Sequence, residues 1–200
     1  MSYICLIGNK NGILAASDTR ETFDGYNHRD NRQKVFKCKK QNLVWACCGL
    51  TMLEGKDYLR LVEFIMRDTK TTLDQKLDYI YRSIKKATTE GFNRLGSGSA
   101  MDILIGHMGK RTMMIRMNIS VGNIQTNTFF APLALQGGSG KLHLPKMKLD
   151  EYNDLTYEEL KKYAYKRVEN VIQKEIELCA KTPQMVQTIG GHVTIEGLKK

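Results

Sequence analysis

Short apolar runs broken by turn residues dominate the first fifty positions, and this pattern predicts β-strands. Residues 3–8 and 13–17 flank an Asn-Gly turn, which is typical of a tight hairpin. Residues 34–39 and 43–48 are predicted to form a second hairpin. The polar stretch between the two hairpins, residues 21–33, is predicted to be an irregular loop rich in charge.

Three later segments place apolar residues at intervals of three and four, the period of a helix with one buried face. The first helix is predicted to open at residues 49–51. The second and third begin near Thr72 and Thr156, each with Gln or Glu three residues later as a capping box. Pro183 is predicted to end the third helix. Its inner stripe is predicted to be Leu160, Ala164, Val168, Val171, Ile172 and Ile176.

Strands are predicted again after the second helix. Four lie before the third helix and two after it, over residues 102–108, 112–119, 123–128, 132–136, 185–189 and 192–195. Runs of strands that are separate from runs of helices favour α+β layers over a parallel β–α–β sheet. The sequence therefore predicts two antiparallel sheets with helices on both outer faces, in a single domain over residues 1–200.

Composition and charge narrow the class of protein without deciding it. The 200 residues are 42% hydrophobic and 26% charged, which is ordinary for one globular domain. Lys and Arg outnumber acids 31 to 21, so the formal net charge is +10. That charge leaves nucleic acid open as a partner, but the basic residues of the third helix are interspersed with acids. A solvated helix face is the better interpretation, and nucleic-acid binding is the weakest alternative.

The cysteines and the apolar runs indicate a reduced, soluble protein. Five cysteines at irregular spacing predict free thiols, with neither a disulfide framework nor a zinc site, and we expect no cofactor. The longest apolar run, residues 43–50, is far shorter than the roughly 20 residues that cross a bilayer. No secretion leader opens the chain, so a cytoplasmic location without a membrane segment is expected.

Ser2 is the first candidate for chemistry. It becomes the N-terminal residue if Met1 is removed, which small second residues such as serine normally permit. A free N-terminal serine joins a hydroxyl nucleophile to an α-amine whose ordinary pKa is about 7.7–8.0. The neutral amine can take the hydroxyl proton directly or through a water molecule. Many chains begin Met-Ser, so Ser2 alone predicts little.

Three positions in one register give Ser2 more weight. Residues 12–22 read glycine, apolar run, alanine and then Asp-x-Arg-x-Thr, which resembles the second strand and turn of proteasome β subunits. Counting back from Asp18 without a gap places Ser2 at that family's N-terminal nucleophile, and counting forward places Lys34 at its catalytic lysine. The chain is therefore similar to the proteasome β and bacterial heat-shock-locus V peptidases, which are N-terminal nucleophile hydrolases. Their four-layer αββα sandwich, an α+β fold, matches the predicted element order.

The resemblance implies a role for each matched residue. Lys34, as a buried ammonium, would keep the amine neutral and stabilise the forming alkoxide, and Asp18 would fix its position. Residues 46–49 sit where the family has its oxyanion loop, which implies the backbone N–H groups of Cys48 and Gly49 as donors.

A second matched motif lies before the third helix. Gly138-Ser139-Gly140 resembles the family's Gly-Ser-Gly, which implies that Ser139 hydrogen-bonds near the amine.

The sequence also departs from the family at several positions. The nucleophile is serine where most members have threonine, and Cys48 replaces a usual glycine. The family's Asp and Ser before the final Gly-Gly are Val186 and Ile189 here. If the site is active, another group such as Thr188 has to support the amine.

The resemblance implies a serine-type peptidase that cleaves peptide or unfolded-protein substrates through an acyl-enzyme on Ser2. It further implies a homo-oligomeric ring and an ATPase unfoldase partner. The alternative is a catalytically inactive structural subunit of the same fold in which Met1 is retained.

Overall fold

The computed structural model describes residues 2–23, 27–49, 52–53, 56–90, 99–120 and 123–200. The described strands, in chain order, are β1 (Ile4–Asn9), β2 (Gly12–Asp18), β3 (Glu21–Phe23), β4 (Asn27–Arg29), β5 (Val35–Cys38), β6 (Leu43–Gly49), β7 (Met52–Leu53), β8 (Lys56–Asp57), β9 (Ser99–Met108), β10 (Thr112–Ser120), β11 (Asn123–Phe130), β12 (Leu133–Gly137) and β13 (Val193–Lys199). The α-helices are α1 (Tyr58–Arg67), α2 (Leu73–Glu90) and α3 (Tyr157–Lys181).

Two antiparallel sheets hold the described part of the chain together. One has four strands in the order β12–β1–β2–β13, and the other has five in the order β11–β10–β9–β6–β5. Both predicted hairpins are present, because β1 pairs with β2 and β5 pairs with β6. Two small ribbons, β3–β4 and β7–β8, lie outside the large sheets.

The alternation of side chains along each strand explains why the sheets stack between helices. In β1, Cys5 and Ile7 pack with α3, whereas Ile4 and Leu6 pack between the sheets. In β6, Trp45 faces the cluster that contains α1 and α2, while its neighbours face the other sheet. The predicted four-layer αββα order is therefore confirmed, with α3 on one outer face and α1 and α2 on the other.

The capping boxes predicted for the second and third helices are both formed. Thr72 N–H donates to Gln75 Oε1 over 2.8 Å, and Gln75 N–H donates back to the Thr72 hydroxyl over 3.3 Å. Thr156 and Glu159 exchange the equivalent bonds over 2.9 and 3.4 Å. Among the described residues, no helix combines the length and the apolar character that crossing a bilayer requires.

The predicted opening of the first helix at residues 49–51 is wrong. Gly49 still belongs to β6, residues 50 and 51 lie outside the described residues, and α1 begins at Tyr58. The N-cap is Asp57, whose carboxylate accepts the N–H of Arg60 over 3.0 Å. The predicted loop of residues 21–33 also proves to contain the β3–β4 ribbon, which pairs Glu21 with Arg29.

Two further expectations fail near the end of the chain. Residues 185–189 form no strand, and the last strand is β13 alone. Ile176, predicted on the inner stripe of α3, is 42% exposed, because the buried face continues from Val168 and Val171 to Glu175. The inner face of α3 is therefore acidic at its C-terminal end.

Lys76 joins the two helices that cover the five-stranded sheet. Its side chain is fully buried, and its ammonium donates to the carbonyls of Ile65, over 2.8 Å, and of Asp68 at the end of α1. It also donates to the hydroxyl of Thr71 over 3.0 Å. Burial lowers the pKa of Lys76. The Ile65 carbonyl also accepts the N–H of Asp68 over 3.3 Å, and the Asp68 carbonyl also accepts the hydroxyl of Thr71 over 3.4 Å. Lys76 therefore adds a charged donor to two carbonyls at the end of the helix.

We predict that Lys76→Met destabilises the protein by about 2 kcal/mol, because the two carbonyls lose a charged donor. The free energy of unfolding in urea measures the effect. Lys85→Met, at an exposed position of the same helix, is the matched control and should change stability by no more than about 0.5 kcal/mol. Equal losses in the two variants would show that Lys76 does not cap α1.

Candidate active site

The candidate site lies at one end of the two stacked sheets, where the side chains of Ser2, Asp18 and Lys34 come together. The β1–β2 pairing continues past Ile4 and Ser17 to a bond from Asp18 N–H to the Tyr3 carbonyl, over 3.4 Å. This pairing sets Asp18 beside the start of the chain. Lys34 directly precedes β5, so it enters the site from the other sheet.

The ammonium of Lys34 makes three hydrogen bonds within this site. It donates to Ser2 Oγ over 2.7 Å, to Asp18 Oδ1 over 3.1 Å and to the Arg20 carbonyl over 2.6 Å. Lys34 is 2% exposed and Ser2 5% exposed, while Asp18 is fully buried. An ammonium has three N–H donors, so these acceptors use all of them and fix its direction.

Asp18 is held by backbone amides as well as by the lysine. Its Oδ1 accepts the N–H of Tyr3 over 2.9 Å, and its Oδ2 accepts those of Arg20 and Gly190 over 3.2 and 3.3 Å. Burial raises the pKa of Asp18 above its ordinary value, and the charge of Lys34 and these bonds act against that rise. The carboxylate is therefore immobile and faces the cation directly.

The turn that follows β12 closes against the carbonyl of Ser2. Gly138 has a φ of 79°, a left-handed conformation that favours glycine, and a Cβ at this position would lie 2.1 Å from the Ser2 oxygen. Gly140 N–H donates to that same oxygen over 3.4 Å. The hydroxyl oxygen of Ser139 is buried and has no hydrogen-bond partner among the described residues. The predicted Gly-Ser-Gly motif therefore does lie beside Ser2.

Asp102, which the sequence reasoning missed, anchors this turn. Its Oδ2 accepts the N–H of Gly138 over 2.9 Å, and its Oδ1 accepts bonds of 2.9 Å from both Arg116 and Asn118. Burial alone would raise the pKa of Asp102, but the bonds from Asn118 and Gly138 and the charge of Arg116 hold it below its ordinary value. An acid inside a buried strand was the signal available in the sequence.

Cys48 and Gly49 end β6 next to the site. Burial raises the pKa of the Cys48 thiol far above its usual range, so this side chain is neutral and no second nucleophile. Cys47 N–H donates to the Lys34 carbonyl over 2.9 Å, which is the last bond between this edge of β6 and the β5 segment. Beyond it, no described strand pairs with that edge, and Gly49 is exposed with a φ of 105°.

Ile189, at one of the positions that differ from the proteasome pattern, makes apolar contacts. Ile189 is fully buried and packs with Tyr3 and Val171. The hydroxyl of Thr188, the alternative support for the amine, donates to Glu175 Oε1 over 2.9 Å. Glu175 was not predicted as a site residue, although an acid in the apolar stripe of α3 was a usable signal.

Comparison with known proteins identifies the fold. No protein-family model matches the sequence, and no curated protein matches it. Among solved structures, the chain is similar to eukaryotic HslV from Trypanosoma brucei, with a TM-score of 0.59, 14% identity and 99% of each chain covered. Anbu from Hyphomicrobium sp. strain MC1 gives a TM-score of 0.61 and 15% identity, covering 98% of this chain and 82% of that one.

A third similar structure is Anbu, described as an ancestral β-subunit, from Yersinia bercovieri. Its TM-score is 0.57 at 14% identity, with 98% of this chain and 82% of that chain covered. At such identities the likeness establishes the fold alone. The chain has a proteasome-like sandwich fold.

We predict that Gly138→Ala lowers the free energy of unfolding by about 2 kcal/mol or more, because the methyl group would strain the left-handed backbone and overlap the Ser2 carbonyl. Urea unfolding of both proteins measures the loss. Gly109→Ala is the control, since its Cβ would lie 3.6 Å from its nearest neighbour, in ordinary contact. A Gly138→Ala protein as stable as this control would contradict the close packing against Ser2.

Proposed function

We propose that the protein is a serine-type peptidase of the N-terminal nucleophile class, with Ser2 as nucleophile once Met1 is removed. The observation that carries the proposal is the 2.7 Å hydrogen bond from the buried Lys34 ammonium to Ser2 Oγ. A buried cation on a hydroxyl oxygen favours the alkoxide, which is the reactive form. The proteasome-like fold supports the same conclusion.

The reaction would proceed by acyl transfer. The Ser2 α-amine takes the hydroxyl proton while Oγ bonds to the substrate carbonyl carbon. The tetrahedral intermediate collapses when the C–N bond breaks, and the amine passes its proton to the leaving nitrogen. Water then attacks the ester by the same route and releases a carboxylic acid, which restores Ser2. The Lys34 ammonium offsets the charge on Oγ, while Asp18 holds it in place.

Two parts of the site would serve the intermediate and the amine. Of the two amides that the resemblance implies, that of Gly49 lies on the open edge of β6 and would serve as the oxyanion donor. The N–H of Cys48 faces β9 instead, because successive residues of a strand point to opposite edges and Cys48 pairs with Asp102. Losing an oxyanion donor typically costs about 2.7–4 kcal/mol. The hydroxyl of Ser139, which has no partner among the described residues, lies in the turn that contacts the Ser2 carbonyl, and we propose it as the group that supports the free amine.

A structural subunit without activity is the second candidate. The observation that favours it is the burial of Ile189 among apolar side chains, at the place where the family has a serine that supports the amine. In this case Met1 would be retained, and the buried Lys34–Asp18 pair would serve stability only. A nucleic-acid partner has no support beyond net charge.

We predict that a peptide epoxyketone adds one probe mass per chain to the protein that has lost Met1. This probe needs both groups of the nucleophile, because the hydroxyl attacks its ketone and the amine opens its epoxide. Ser2→Ala should abolish the adduct and Ser2→Thr should keep it. Lys34→Met should slow labelling at least 100-fold, since a lost interaction of about 2.7 kcal/mol costs that factor.

The control for Lys34→Met is Lys37→Met, on the adjoining strand and paired with Glu196 at a half-exposed position. It should label within about twofold of the natural protein. Intact-mass spectra give all the results. Unlabelled protein that keeps Met1 would support the structural subunit, and an undiminished adduct in Ser2→Ala would refute Ser2 as nucleophile.

We further propose that the chain acts in the cytoplasm as a homo-oligomeric ring that receives unfolded protein from an ATPase partner. One supporting observation is that a similar structure is described as a β-subunit. Light scattering behind a sizing column should give a mass that is a whole multiple of the chain mass. A single-chain mass across the accessible concentration range would contradict assembly.

A further inference from the structure

Glu175 is an acid on the inner face of α3, where the helical stripe would otherwise place an apolar residue. It is 1% exposed, and acids are almost never buried so deeply unless they are paired. Its Oε1 accepts both the N–H and the hydroxyl of Thr188, each over 2.9 Å, and its Oε2 contacts His143 Nε2. Although burial raises the pKa of Glu175, the bonds from Thr188 and His143 bring it below its ordinary value, so the carboxylate remains ionised.

Thr188, which binds one oxygen of Glu175, lies two residues before the amide that binds Asp18. Thr188 is followed by the buried Ile189 and then by Gly190, whose N–H donates to Asp18 Oδ2 over 3.3 Å. The Gly190 carbonyl accepts the N–H groups of Thr19 and Arg20 over 3.2 and 3.1 Å. No strand within the described ranges pairs with residues 188–190, so the carboxylate of Glu175 supplies the acceptor that a sheet would otherwise supply.

His143, which contacts the other oxygen of Glu175, belongs to the turn that binds the Ser2 carbonyl. His143 N–H closes the short 3₁₀ turn by donating to the Gly140 carbonyl over 3.1 Å, and Gly140 N–H donates to the Ser2 carbonyl. The two turns also touch each other, because a Cβ on Gly140 would lie 2.7 Å from Ile189 Cδ1. One carboxylate is therefore hydrogen-bonded to both segments that flank the nucleophile and its supporting acid.

We propose that Glu175 is a positioning residue, which holds the turn of residues 188–190 against Asp18 and joins it to the turn that carries Ser139. Glu175 acts on Asp18 through the backbone amide of Gly190 and has no contact with the Ser2 amine among the described residues. Any effect of Glu175 on hydrolysis rests on the proposed function, whereas its effect on Asp18 does not.

The titration of Asp18 reports this role. The ionisable side chains that act on Asp18 are Lys34, Arg20 and Cys48. Those that act on Glu175 are His143, Arg20 and Cys179. Loss of the Gly190 amide bond removes a donor that favours the ionised carboxylate, so the pKa of Asp18 should rise.

The test uses full-length protein labelled with ¹³C at the aspartate carboxyl carbons, with the Asp18 resonance assigned through Asp18→Asn. In Glu175→Ala, we expect Asp18 to titrate about one pH unit higher than in the natural protein, as loss of one charge-assisted bond predicts. Amide hydrogen exchange at Gly190 should become at least tenfold faster. Glu175→Gln, which keeps the volume and one acceptor oxygen, should change both quantities in the same direction by less.

The matched control is Glu177→Gln, two residues further along α3, where the half-exposed acid pairs only with Lys174 among the described residues. It should leave both quantities unchanged. A substitution that only destabilises the protein would not shift the titration of Asp18, so the titration separates positioning from stability. If Glu175→Ala does not fold, Glu175→Gln decides the matter. Unchanged Asp18 titration and Gly190 exchange in the folded variant would overturn the proposal.

Epoxyketone labelling separates this proposal from the proposed function. If the natural protein is labelled, Glu175→Ala should label about tenfold more slowly on the acid side of the pH profile, because a one-unit rise in pKa leaves a tenth of the ionised Asp18 there. If the natural protein is never labelled, the proposed peptidase activity fails, and the titration alone still decides whether Glu175 positions Asp18.

Discussion

The buried ammonium of Lys34 is the interaction on which the site depends. A cation that leaves water has to be paired and fully hydrogen-bonded, and its three N–H groups are taken by Ser2, Asp18 and the Arg20 carbonyl. These acceptors come from the start of one sheet and the turn after its second strand, while the lysine comes from the other sheet. Removal of one partner of a buried pair costs about 3–5 kcal/mol, so the pairing fixes where both sheets end.

Two further carboxylates accept hydrogen bonds from the backbone of the turns around this site. Turns have no ladder of backbone hydrogen bonds, yet the turns beside Ser2 have to be as rigid as strands. Asp102 accepts the amide of Gly138, and Glu175 accepts that of Thr188. Each acid is nearly inaccessible to water, where a hydrogen bond to a charge is strong and an unpaired group is costly. The rigidity of the site thus comes from neighbouring layers of the sandwich.

The parts that the sequence predicted are those that obey a simple period or register. The layer order, the β1–β2 hairpin and the capping boxes follow from spacing along the chain. The grouping of Ser2, Asp18 and Lys34 followed from the resemblance to the proteasome β pattern. The failures lie where tertiary contacts decide. Residues 185–189 have the composition of a strand, but one of them, Thr188, bonds to Glu175 instead. The start of α1 was missed because an apolar pattern cannot show that Asp57 caps the helix.

The placement of Lys34 in one sheet and Ser2 in the other has a consequence for folding. Either sheet could form alone without bringing the lysine to the serine, since only the contact between the inner faces sets their distance. A chain whose layers have formed but not yet docked therefore carries a serine of ordinary reactivity. Under the proposed mechanism, activation of the hydroxyl would coincide with completion of the core, so immature or partly unfolded copies would be harmless to the peptides around them.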